Sequence, residues 1–164
     1  MIARQLDGKV ALVTGAGGTM GRAVVRALVD DGCRVALVDI AEAAMRAQVR
    51  DFGNRVVAVA CDIADASAVA SAHARVVQAI GEIDILVNNA GILSNNKLEA
   101  TSVDEWRRVL AANLDGAMFW AKAVVPAMKA RRWGRIINTS SLAAKTGGLT
   151  AGTGDDGDLA SEGE

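Results

Sequence analysis

The chain contains no tyrosine, a single proline, a single histidine and two cysteines, and its aromatic residues are three tryptophans and two phenylalanines. Each scarcity excludes something. Without Tyr there is no phenol to serve as a proton carrier, a role that group fills when its pKa, ordinarily ~10, is lowered. Cys33 and Cys61 form no C-x-x-C pair and, with one His, give no metal-ligand set. No apolar stretch reaches the ~18 residues of a membrane span, and the opening "MIARQLDGK" meets Arg4 before any apolar run. Neither a span nor a signal peptide is therefore expected, and the reading is a cytoplasmic protein. No Gly-Lys-Ser/Thr follows the glycine cluster near the start, which excludes a P-loop.

What is present suits one domain with a real core: 164 residues, 51% apolar, mean hydropathy +0.24. The formal charge is -1, but the last fourteen residues hold five acids (Asp155, Asp156, Asp158, Glu162, Glu164) and no base, leaving the first 150 at +4. Such a body accommodates an anionic ligand, although a mildly basic face is usually only a solvated one. Nucleic acid and membrane are not expected partners.

Short apolar, β-branched runs alternate with helical patterns. "KVALVT" precedes a helix at 20–31, "RVALVD" one at 41–52, "RVVAVA" one at 66–80 and "IDILVN" one at 103–131, before "GRIINTS". Strand and helix in strict alternation predict an α/β fold, a doubly wound parallel sheet of five strands covered on both faces. Asp65 is placed to cap the third helix, and Ser102 with Glu105 spells a capping box for the fourth. Pro126 is expected to kink or end that last helix. Parallel strands put Cys33 and Cys61 at opposite ends of the sheet, roughly 15 Å apart, too far for a disulfide. His73 shares an apolar face with Val69, Val76 and Ile80 and is read as a packing residue.

In "VALVTGAGGTMGRAVV", Gly15, Gly17, Gly18 and Gly21 lie between a strand and a helix, where glycines permit a tight turn and close approach of a pyrophosphate to a helix N-terminus. Asp39, eighteen residues past Gly21 at the end of "RVALVD", can accept hydrogen bonds from adenosine ribose hydroxyls and repels a 2′-phosphate. No Lys or Arg lies between Gly15 and Gly21, so NAD is favoured over NADP. The plainer alternative is that Asp39 only caps the following helix. A methyltransferase on a similar sheet would share the loop and the acid; "NNAG" and "TSSLAA" argue against it.

Taken together, "TGAGGTMG", "NNAG" and "GRIINTSSLAA" resemble the short-chain dehydrogenase/reductase family over about Gly8 to Thr153. The resemblance implies a Rossmann-like domain at 1–149, incomplete relative to the family, and a Gly-rich acidic tail at 150–164 expected to be disordered. It implies a cofactor site of Gly15, Gly17, Gly18, Thr19, Met20, Gly21, Asp39 and Ile40, with Asp62 and Ile63 at the adenine and Asn89, Ala90 and Gly91 supporting the cofactor. It further implies that Asn113 helps hold a proton-relay water and that Ser141 hydrogen-bonds the oxygen of an alcohol or carbonyl substrate. Family members are usually homo-oligomers. Two positions depart from the pattern. Thr19 stands where the family has Gly, and a Cβ there crowds the pyrophosphate if the backbone needs positive φ. The family's Tyr-x-x-x-Lys pair is absent; Lys145 is misplaced for it, and "DLASE" sets Asp158 and Glu162 at the same spacing. Asp158 is a poor acid at neutral pH and Glu162 has the wrong charge to assist it. The chain is thus read as a carboxyl-truncated or misread family member without catalytic competence, or alternatively as a noncatalytic NAD-binding module or partner subunit. In either case the last strand and the helix at 103–131 are expected to leave apolar surface uncovered.

Overall fold

The computed structural model describes residues 6–141. Five strands, β1 (Val10–Thr14), β2 (Arg34–Asp39), β3 (Val56–Ala60), β4 (Ile85–Asn88) and β5 (Arg135–Asn138), form one sheet. They are all parallel, in the order β3-β2-β1-β4-β5. Helices α1 (Thr19–Asp30), α2 (Glu42–Phe52) and α3 (Ala66–Ile80) fill the first three crossovers. The fourth is filled by α4 (Val103–Leu110), a π turn (Ala111–Asp115) and α5 (Gly116–Arg131). This is the Rossmann-like α/β sheet that the alternation of runs predicts.

Strand side chains alternate between two layers because successive residues point to opposite faces. Val10 and Leu12 of β1 face α3 and α5, packing with Val69, Val76 and the fully buried Trp120; Ala11 and Val13 face α1 and α2, packing with Val25, Val29 and Met45. Burial of each such side chain stabilises by about 1.5–3 kcal/mol, so the two layers are the principal source of stability. Cys33 and Cys61 are free thiols, buried in different layers. His73 is half-buried with its ring edge-on to Trp120, centroids 6.5 Å apart.

Three local expectations hold only in part. The segment at 103–131 is not one regular helix, for its middle widens into the π turn, where Gly116 N donates to Ala111 O. Pro126 does not end it: α5 continues to Arg131 and stops where Arg132 turns left-handed at φ 55°. The capping box is only half formed. Ser102 Oγ accepts from Glu105 N at 3.1 Å, but the Glu105 carboxylate turns away to Ser94 and Asn96. Asp65 caps α3 as expected, accepting from the backbone of Ser67 and Ala68.

Among the described residues, one side of the sheet is poorly covered. All four residues of β5 are exposed, Ile137 to 51%, and Trp106 and Met118 of the helical segment are exposed to 56% and 50%. An edge strand with apolar side chains beside such a helix is an association surface. The isolated chain is expected to enhance the fluorescence of a hydrophobic dye and to elute above its monomer mass in size-exclusion chromatography with light scattering. A monodisperse monomer that ignores the dye would contradict this.

Candidate functional site

The carboxyl ends of β1 and β4 border an open cleft of about 750 Å³. Strand order reverses here, since β1 leads outward to β2 and β3 while β4 and β5 lie on its other side. In open parallel sheets this switch point is where ligands bind.

The glycine loop forms one wall. Gly15 has φ +64°, and a Cβ on it would come within 2.8 Å of Ala90 Cα, so the loop touches the β4 end with no space for a side chain. Gly18 caps α1 with ordinary dihedrals, and a Cβ there would meet nothing nearer than Gly15 O at 3.5 Å; the space above it belongs to the cleft. Thr19 is the first residue of α1 and is not among the residues with positive φ, so its Cβ brings no backbone strain. Thr19, Met20 and Gly21 line the cleft along that first turn, which carries no acidic side chain. Gly17 is the exception among the loop glycines. It does not line the cleft but faces α2, where a Cβ would fall 2.5 Å from Ala44 Cβ.

Asp39 stands at the end of β2 beside exposed Ile40. Its Oδ2 accepts from Gly17 N at 2.9 Å and its Oδ1 from Ala41 N at 3.1 Å, so the carboxylate both holds the glycine loop and satisfies the start of α2. Each oxygen keeps a further lone pair. Asp62 and Ile63 form the next part of the rim, with Asp62 Oδ1 accepting from Ala64 N. Cys61 lies between them and the core; burial and the nearby Asp62 and Asp65 carboxylates push its thiol up to about 11, so it remains protonated and unreactive.

The asparagines of "NNAG" hold different partners because they alternate in direction. Asn88 turns to α5 and β5, its Nδ2 donating to Asn138 Oδ1 at 2.8 Å. Asn89 turns to the loop, its Nδ2 donating to Thr14 O at 3.0 Å and Gly15 O at 3.3 Å. Ala90 and Gly91 continue along the cleft floor. Asn113, in the π turn, clamps Ile92 from both sides: Oδ1 accepts from Ile92 N at 2.8 Å and Nδ2 donates to Ile92 O at 2.9 Å. Farther along that loop the Ser94 hydroxyl and Asn96 amide bind Glu105 and hold its carboxyl below the usual range. Ser141 lines the opposite wall, beyond β5, with Thr139 and Ser140. Lys145, Asp158 and Glu162, together with the 149/150 boundary, lie outside the described residues.

Two supporting residues are not among those the sequence motifs single out. Thr14 Oγ1, fully buried, accepts from Asn89 N at 3.0 Å and Ala90 N at 3.1 Å. Gln48, buried on α2, donates from Nε2 to Ala16 O at 2.7 Å.

A family model described as short chain dehydrogenase matches residues 9–152. The chain belongs to the short-chain dehydrogenase family. It is 38% identical over 149 residues to a sorbitol dehydrogenase of Cereibacter sphaeroides, covering 90% of this chain and 58% of that one. It is 41% identical over 143 residues to a D-threitol dehydrogenase of Mycolicibacterium smegmatis, covering 85% and 55%. A crystal structure of a short-chain dehydrogenase/reductase, a glucose/ribitol dehydrogenase from Brucella melitensis, superposes with a TM-score of 0.81 at 26% identity, over 89% of this chain and 62% of that one. The chain thus spans little more than half the length of the curated short-chain dehydrogenases it matches. Among the described residues no helix is long and apolar enough to cross a membrane.

Proposed function

We propose that this chain is the dinucleotide-binding part of an NAD-dependent oxidoreductase that interconverts an alcohol and a carbonyl compound. The observation that carries the reading is a single cleft at the switch point with a bare helix start, a glycine loop that leaves room above Gly18, and the Asp39 carboxylate at its far end. That donor and acceptor set fits an adenine dinucleotide. The first turn of α1 offers backbone N–H groups to a pyrophosphate, and the remaining lone pairs of Asp39 accept from ribose hydroxyls. The same carboxylate charge opposes a 2′-phosphate, which favours NAD over NADP. When bound, the nicotinamide supplies or accepts the hydride. Ser141, which lines the cleft, is the residue assigned to hydrogen-bond the substrate oxygen, and Asn113 fixes the Ile92 backbone on the facing wall. Galactitol and 2,3-butanediol, named as substrates of two relatives, share a secondary alcohol, the substrate class proposed for the parent enzyme.

The family resemblance assigns the proton step to a Tyr-x-x-x-Lys pair, and none of these 164 residues is Tyr. Binding without turnover is therefore the second reading for this chain taken alone. Both readings demand that NADH bind. Tryptophan-sensitised NADH emission is expected to appear on titration, and Asp39→Ala is expected to abolish it at concentrations that saturate the natural sequence. No binding at millimolar NADH would sink the cofactor reading, whereas dehydrogenation of a secondary alcohol by the purified chain would sink the noncatalytic one.

A further inference from the structure

At the adenosine end of the cleft an acid and a base grip the same two segments. Asp39 accepts from Gly17 N and from Ala41 N. Arg22, in the first turn of α1, does the converse: its Nε donates to Gly17 O at 2.9 Å and its Nη2 to Ala44 O at 3.1 Å. One residue takes the N–H groups and the other gives to the carbonyls, and each ties Gly17 of the loop to the start of α2. The two segments already touch, because the place of a Cβ at Gly17 is taken by Ala44 Cβ and, at 3.0 Å, by Asp39 Oδ2.

We infer that Arg22 is a positioning residue for recognition of the adenosine ribose, acting on Asp39 through the backbone on either side of the Gly17 Cα. The Gly17 N–H and C=O belong to the two peptide planes that meet at its Cα, and without a Cβ the torsions between those planes are soft, so the N–H stays aimed at Asp39 only while the C=O is held as well. A guanidinium is suited to holding it, being planar, permanently charged and able to give two directed bonds to two carbonyls. The start of α2 needs the tie as well, since its N-cap, Ala41, makes no side-chain capping bond. Arg22 is exposed, so removing it leaves no cavity and no buried charge; what is lost is the orientation of Gly17 and thereby of the Asp39 carboxylate. This role rests on Asp39 being the ribose ligand proposed above.

The test is calorimetric titration of the natural chain and of Arg22→Met with two adenine nucleotides, ADP and 2′,3′-dideoxyadenosine 5′-diphosphate, which lacks both ribose hydroxyls. Arg22→Met is expected to weaken ADP by about tenfold, to leave the dideoxy nucleotide almost unchanged, and to melt within about 2 °C of the natural sequence. ADP binding that is unchanged, or weakened equally for both nucleotides, would overturn the role of Arg22 while leaving the ribose reading of Asp39 intact. A natural chain that binds the two nucleotides alike, or binds neither, would remove that reading and the role of Arg22 with it.

Discussion

Gly21→Val is expected to lower the melting temperature of the chain by about 10 °C, the effect of roughly 3 kcal/mol in a domain of this size, and to eliminate NADH binding. The reason lies in the backbone. A Cβ on Gly21 would stand 2.8 Å from Ala16 Cα and 2.9 Å from the carbonyl carbon of Gly15. Neither neighbour can yield, for Gly15 is itself pressed against Ala90, and Ala16 is held by Val38 O, which accepts its N–H, and by Gln48. The alternative is for α1 to retreat from the sheet, which would unpack the fully buried Val25 and Val29. Gly18→Ala is the matched control. Its Cβ would make no more than an ordinary contact with Gly15 O at 3.5 Å, so the variant is expected to melt like the natural chain while NADH binds more weakly, the new methyl occupying the place of the ligand. Thermal melts by circular dichroism and NADH titrations on both variants separate packing from ligand approach. A Gly21→Val protein that melts normally would show that the loop is not fixed as described.

The extent to which this site is legible in the sequence follows from which residues advertise their partners. β-branched runs between helical patterns disclose five parallel strands because strands buried on both faces leave near-continuous apolar runs. The glycine loop and Asp39 are visible because position relative to a strand end defines them. The second duty of Asp39, holding Gly17 and Ala41, is not visible, since a carboxylate at a strand end looks the same whether it faces water or two N–H groups. Gln48 gives only a faint signal: Met45, Gln48 and Phe52 recur at helical spacing, which puts a polar residue on a buried face. The π turn gives none. The extra residue in the turn shifts the phase of the pattern without breaking it, so 103–131 reads as one helix, although the turn holds Asn113, whose amide bonds Ile92. Pro126 does not end the helix, because α5 is held by buried Trp120, Val124 and Met128 on both sides of it and tertiary packing outweighs the local penalty.

Thr14→Val is expected to destabilise the chain by about 2–5 kcal/mol, although the two side chains have nearly the same shape. The hydroxyl oxygen receives Asn89 N and Ala90 N, and its own proton is directed to Val87 O at 3.5 Å; a methyl group in its place strands two backbone donors in a part-buried setting. The location magnifies the loss. β1 pairs with β2 over five residues but with β4 over three, ending at Val13↔Val87. Beyond that pair the two strands are joined not by ladder bonds but by the Thr14 hydroxyl and the Asn89 amide, which together make the floor of the cleft. A crevice at a switch point must open between neighbouring strands, and side chains have to supply the bonds that the parting backbones no longer give each other. Set against a total stability of ~5–15 kcal/mol, the loss of that floor leaves the variant marginal. Thr14→Ser, which keeps the oxygen, is expected to retain most of the stability. Amide hydrogen exchange at Asn89 and Ala90 is the direct readout: their protection should collapse in Thr14→Val and persist in Thr14→Ser. Equal protection in both variants would mean that the cleft floor is held by the Asn89 side chain alone.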